Sequence, residues 1–178
     1  MPTEKIMSDW RRGATHPVYW LEGDEPYHID KLVNVADSML LKPEEVGFNL
    51  TVFYGKDAKV EDVINACRRY PMFAERQVVI IREAQQLKDI DRLESYISHP
   101  LASTILIVAF KDKKLDGRGK LAKILKANIS ELVISKPGAA RKKAIKTMVK
   151  KTGMTPKQAK IKQAIAISYS KAGKSKKK

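Results

Sequence analysis

Arg68-Arg69-Tyr70-Pro71-Met72-Phe73-Ala74-Glu75-Arg76-Gln77, followed at once by Val78-Val79-Ile80-Ile81, is the stretch on which the fold turns. Four consecutive β-branched residues bounded by charge read as a strand buried on both faces, as in a parallel sheet. Just upstream, Pro71 ends the preceding helix, because the residue before a proline is steered out of the α region. Met72 and Phe73 then fall in a short connection among arginines and a glutamate. Large apolar side chains in a loop either tuck back into the core or wait for a partner, and the residues alone leave both open.

Outward from this stretch, strand and helix alternate. Residues 17–21 form a short apolar strand that runs into Glu22-Gly23-Asp24-Glu25-Pro26. Ile29, Leu32, Val33, Val35, Ala36, Met39 and Leu40 lie at helical spacing, and that helix stops before Pro43. Residues 48–54 alternate apolar and polar at period two, which predicts a half-exposed strand, and Gly55-Lys56-Asp57 turns the chain. Val60, Val63, Ile64 and Cys67 make the stripe of a helix ending near Tyr70. After the strand at 77–82, a helix is expected over 87–97, closed by His99-Pro100, and then the most apolar strand of the chain, 104–110. A helix around 119–127 and a strand at 131–134 complete a body spanning 16–135. Five such alternations predict βαβ units, hence a three-layer parallel α/β sheet. Residues 1–15 read as a flexible arm, and 136–178 as a basic tail of two weak helices and a disordered, low-complexity end.

Charge is unevenly placed. The formal net charge is +15, yet from Lys111 onward there are 22 Lys and Arg against 3 Asp and Glu, leaving a slightly acidic body. That asymmetry points to a nucleic-acid backbone near the tail, with Lys142, Lys143, Lys146, Lys150, Lys151, Lys160 and Lys162 as candidate phosphate contacts. The longest apolar run, 105–110, is far short of the roughly 20 residues a membrane span needs. Met1-Pro2-Thr3-Glu4-Lys5 shows no basic n-region followed by an apolar block, so no secretory signal is expected. The single cysteine, Cys67, excludes an intrachain disulfide, so a cytoplasmic location is expected. Cys67 sits in an apolar stripe and reads as a buried small hydrophobe.

Nothing in the chain argues for catalysis. The loop after the first strand lacks a glycine-rich turn and a following Gly-Lys-Ser/Thr, and Glu22, Asp24 and Glu25 would repel a triphosphate. The third strand meets Arg82 at its first polar position, where a metal-holding aspartate would stand. His16, His28 and His99 are scattered singly, and no Gly-x-Ser-x-Gly elbow exists. Glu44-Glu45 and Glu61-Asp62 lie near helix starts, where carboxylates favour the dipole. No cofactor and no metal are expected.

The pieces Val18-Tyr19-Trp20-Leu21-Glu22-Gly23-Asp24-Glu25-Pro26-Tyr27 and Pro71-Met72-Phe73-Ala74-Glu75-Arg76-Gln77-Val78-Val79 resemble the N-terminal domain of the bacterial DNA polymerase III delta subunit. Leu87-Lys88, Leu93-Glu94-Ser95-Tyr96-Ile97, Pro100 and Thr104-Ile105-Leu106-Ile107-Val108 follow in the family's order. The resemblance implies a fold of the P-loop NTPase or AAA+ type that has lost nucleotide binding, over 16–135. It further implies a non-catalytic clamp-loader subunit whose partners are the sliding clamp and other loader subunits. The family's hydrophobic pair at the Met72-Phe73 position enters an apolar pocket on the clamp, and the adjoining helix presses on the clamp interface and springs it open. By that resemblance the clamp-binding residues are Pro71, Met72 and Phe73, with Arg69 and Arg76 beside them. The family continues into a small helical domain and a collar; residues 136–178 are too few for the collar and match the helical domain poorly. They are more similar to the basic tails of small DNA-associated proteins. A DNA-binding protein using that tail, with the α/β body as scaffold, is the competing expectation.

Overall fold

Alternation along the strands sorts the apolar residues into two cores, one on each face of a parallel sheet. The computed structural model describes residues 2–23, 25–112, 114–128 and 132–135. The elements run α1 (Pro2–Arg11), β1 (Val18–Gly23), α2 (Pro26–Met39), α3 (Pro43–Asn49), β2 (Leu50–Tyr54) and α4 (Val60–Cys67). They continue with β3 (Gln77–Arg82), 3₁₀ turns at Ala84–Gln86 and Ile90–Leu93, α5 (Glu94–Ile97), β4 (Thr104–Lys111), α6 (Lys120–Asn128) and β5 (Leu132–Ser135). The five strands lie in the order β2-β3-β4-β1-β5, with every neighbouring pair parallel. Val78 at the start of β3 stands opposite Leu50 on one side and Ile105 on the other.

Val78, Val79, Ile80 and Ile81 are all fully buried, as a strand sandwiched between helices must be. Val78 and Ile80 join Tyr19, Leu21, Ile105 and Ile107 under α1 and α2. Val79 and Ile81 join Trp20, Leu106, Val108 and Phe110 under α4, α5 and α6. Helix α2 starts with Pro26 in its first turn, where a missing N–H costs nothing, and buries Ile29, Leu32, Val33 and Ala36. Among the described residues, no helix is long and apolar enough to cross a membrane.

Three expectations are corrected. The flexible arm at 1–15 is instead a helix over most of its length, within a compact unit spanning Met1–Lys136. Ile6, Met7 and Trp10 form a short stripe at helical spacing, hidden in the sequence by the polar residues around it. They are buried against the sheet, with Trp10 edge-on to Tyr19 at 5.3 Å. Phe48 and Asn49 belong to α3 rather than to the following strand. Pro43 and the carboxylates Glu44 and Glu45 make the first turn of α3, and the Glu45 side chain accepts the Lys42 N–H at 3.1 Å. Finally, 87–97 is not one helix. Asp89 adopts a left-handed conformation (φ 53°), a region aspartate tolerates better than most residues, and keeps Leu87 and Lys88 out of the helical run, which starts only at Ile90 as a 3₁₀ turn and continues into the short α5. The tail at 136–178 and its seven candidate lysines lie outside the described residues.

The turn after β2 is fixed by backbone contact. A Cβ on Gly55 would stand 2.3 Å from the Glu83 carbonyl oxygen, which is main chain and cannot swing aside. Gly55→Ala is expected to lower stability by about 1–3 kcal/mol, as overpacking does. A urea unfolding midpoint unchanged from wild type would refute that tight approach.

Candidate functional site

The connection between α4 and β3 is held at its base by two buried polar side chains. Helix α4 ends at Cys67 and leaves carbonyls with no partner inside the helix. Gln77, at the first position of β3 and buried, reaches the carbonyl oxygens of Arg69 at 2.6 Å and Ala66 at 3.1 Å through Nε2. The same nitrogen lies 2.9 Å from Thr104 Oγ1, and the Thr104 hydroxyl donates to the Cys67 carbonyl at 3.0 Å. The last turn of α4 is thus tied to β3 and β4. Cys67 itself is fully buried, and burial pushes its thiol up to about 12, which makes it unreactive.

Beyond Arg69 the chain runs out to a tip and is caught again at Met72. Asn49, at the end of α3, accepts the Met72 N–H at 2.7 Å and returns a hydrogen bond to the Met72 carbonyl at 2.9 Å. Its amide also reaches the Glu45 carbonyl at 3.1 Å. Asn49 is only 2% exposed, so these bonds are shielded from water. With the main chain of Met72 fixed, the side chains beside it point outward. Phe73 is 95% exposed, Tyr70 80% and Met72 53%. Phe73 also holds a left-handed backbone (φ 55°), which for a bulky side chain costs about 1–2 kcal/mol. Strain of this kind, combined with an exposed aromatic ring, gathers at sites built for contact. Of the two fates open to Met72 and Phe73 from their residues alone, neither side chain is tucked into the core.

The cations around the tip differ from one another. Arg68 and Arg69 are exposed. Arg76 turns back: it donates to Thr15 Oγ1 at 2.9 Å and pairs with Glu75 at 3.8 Å, so it braces the loop as much as it faces outward. Pro71 is half-buried beneath the tip. The loop stands as a ridge between two clefts. One is lined by Met39, Leu40, Leu41, Lys42, Glu45, Glu75 and Arg76, and the other by Arg68, Tyr70, Ser95, Tyr96, His99 and Leu101.

At the opposite, C-terminal end of the strands, where α/β proteins place their ligands, the groups have neutralised one another. Lys111 Nζ pairs with Glu83 at 2.7 Å and with Asp30. Burial opposes the charge on Lys111, yet its bonds to Asp30 and Glu83 outweigh that and lift its pKa above the ordinary lysine range. The bond from Lys111 holds the Glu83 carboxyl below its usual range, against the effect of burial. Glu22 is buried rather than presented to a ligand, and accepts from Trp20 Nε1 at 3.2 Å and the Leu115 N–H at 3.3 Å. No cluster of three or more metal-ligating side chains occurs among the described residues.

A pH dependence follows from this triad. Glu83, with its lowered pKa, contributes stability above its unfolded value and loses it as pH falls through the folded one. Lys111, with its raised pKa, contributes fully below its unfolded value and loses it as pH rises through the folded one. The stability lost in Lys111→Met is therefore expected to be greatest between the carboxylate and lysine ranges and to shrink at both ends. A mutant-to-wild-type difference flat across pH would refute the assignment.

The two-cored parallel sheet has relatives. A family model described as DNA polymerase III, delta subunit, matches residues 19–135. The chain belongs to the DNA polymerase III delta subunit family. The delta subunit of Bacillus subtilis (strain 168) is 31% identical over 131 residues, which is 68% of this chain and 38% of that protein. The solved Bacillus subtilis DNA clamp loader delta protein superposes with a TM-score of 0.67 at 26% identity, over 89% of this chain and 50% of its own. A gamma subunit-related protein of DNA polymerase III from Thermotoga maritima shares the fold alone, with a TM-score of 0.54 at 9% identity, over 90% of this chain and 57% of its own. This delta-family chain thus spans between about two fifths and just over half of the relatives' lengths.

Within the delta-family domain, Pro71, Met72 and Phe73 share one ridge with Arg69, while Arg76 sits at its root. The residues that sequence reading missed are Asn49 and Gln77. Each is a lone amide at the mouth of an otherwise apolar run, and a buried amide demands partners.

Proposed function

We propose that this chain is the sliding-clamp contact of a DNA polymerase III clamp loader, with Met72 and Phe73 entering an apolar pocket on the clamp and helping to open or load it. The observation that carries this reading is Phe73: nearly fully exposed, on a strained backbone, and held out by the buried Asn49 bonds to its neighbour. Methionine adapts its shape and phenylalanine supplies a rigid anchor, a pairing that suits a binding hot spot. Arg69 flanks the pair, and other loader subunits bind elsewhere on the full assembly. The role is non-catalytic. Lys111, Glu83 and Asp30 satisfy one another where a nucleotide would need open donors, which supports the absence of ATP turnover. The test is co-elution with the sliding clamp of the same genome on a sizing column. A clamp that elutes alone at micromolar concentrations of both proteins would overturn the reading.

A second reading rests on the concentration of positive charge beyond Lys111. In it, Lys142, Lys143, Lys146, Lys150, Lys151, Lys160 and Lys162 bind DNA phosphates, and affinity falls steeply with salt. Removing residues 136–178 separates the two: clamp binding survives under the first, and DNA binding disappears under the second.

A further inference from the structure

We infer that Phe48 is a third apolar contact for the same ring-shaped partner, so that the docking surface is built from two chain segments and not from the loop alone. The inference rests on the clamp-contact reading above. Phe48 occupies the last turn of α3 and is 69% exposed. On that short helix Glu44, Gly47 and Phe48, at i, i+3 and i+4, make one exposed face. Val46 packs against the core and Asn49 is buried.

Two independent features place that face beside the ridge. The first is topology. Helix α3 feeds β2 and the loop feeds β3, and these strands are parallel neighbours with Leu50 opposite Val78. Helix α3 and the loop therefore meet the sheet along the same edge. The second is the Asn49 link: Phe48 immediately precedes the side chain that holds both main-chain polar groups of Met72.

Exposed apolar side chains scattered singly are ordinary. Here the three most exposed large ones among the described residues, Phe73, Tyr70 and Phe48, all lie in the segments that lead into the N-terminal ends of β2 and β3. Exposed apolar side chains grouped at one end of a sheet in this way suit an interaction surface. Charge favours a partner other than this chain. Arg68 and Arg69 stand exposed on the rim, where the basic segment 136–178 would meet like charge and a second copy docking the same face onto itself would bring these arginines together. Glu44 and Glu75 are exposed on the same surface, so an apolar pocket with both signs of charge at its border, on a separate protein, complements it.

The experiment titrates the sliding clamp of the same genome against wild type, Phe48→Ala, Met72→Ala/Phe73→Ala and Tyr54→Ala. Tyr54 is also exposed, but it ends β2 at the C-terminal end of the strands, the end opposite α3 and the loop. Phe48→Ala is expected to weaken binding about tenfold, chiefly through faster dissociation. Its urea midpoint should match wild type, and Tyr54→Ala should bind as wild type does. Wild-type affinity in Phe48→Ala overturns this inference and leaves the loop reading standing. An equal loss in Tyr54→Ala overturns it too. If wild type itself fails to bind, the loop reading falls and this one with it.

Discussion

Alanine at both Met72 and Phe73 is expected to cut affinity for the sliding clamp by about a thousandfold, taking about 2 kcal/mol for each anchor. The free protein should keep its stability, because surface truncations away from the core stay within about 0.5 kcal/mol. The two readouts must separate for the assignment to hold: surface binding collapses while the denaturation curve does not move. Phe73→Gly sharpens the test. Glycine relieves the left-handed backbone at φ 55°, although it loosens the unfolded chain as well. This variant should be no less stable than Phe73→Ala, yet it lacks the ring. A glycine variant that binds like wild type would show that the ring is not the anchor.

The second large effect belongs to Asn49. Asn49→Ala removes the partners of the Met72 N–H and carbonyl together and opens a void at a site that is 2% exposed. Losing buried hydrogen bonds with both main-chain groups left unpaired costs about 2–4 kcal/mol. Affinity for the clamp should fall as well, since the loop must then be ordered on binding. Asn49→Asp distinguishes positioning from mere stability. Aspartate can still accept the Met72 N–H but cannot donate to the Met72 or Glu45 carbonyls, so it should bind with intermediate strength. Thermal melts give the first quantity and clamp titration the second. An Asn49→Ala variant that is destabilised yet binds at full strength would show that the loop orders itself without the link.

What could be read from sequence was set by how local each cause is. β3 and β4 were legible because a run such as Val78-Val79-Ile80-Ile81 has few alternatives to a doubly covered strand. The α/β alternation followed from the same patterning, whereas the family came from a resemblance carried by the pieces 18–27 and 71–79. Boundaries governed by a single stripe were harder. Ile6, Met7 and Trp10 are too few to announce α1, and Phe48-Asn49-Leu50-Thr51-Val52 keeps a strand-like alternation across a helix end. The break at Asp89 depends on a left-handed main chain that an aspartate permits but does not demand. The tip of the site was visible through Pro71 and its apolar neighbours. Its support was not, because Asn49 lies 23 residues from Met72 and Gln77 27 residues from Thr104. Such pairs exist only once β2, β3 and β4 are side by side.

The Asn49 link also limits how far the ridge can be transplanted. A synthetic peptide copying residues 68–76 would carry the two proposed anchors, Met72 and Phe73, but none of the groups that fix their direction. It would have to order its own main chain on docking and force Phe73 into a disfavoured conformation, which erodes affinity. A miniature inhibitor that copies this surface therefore has to include the α3–β2 junction, or replace it with a covalent ring closure that imposes the same turn at Met72.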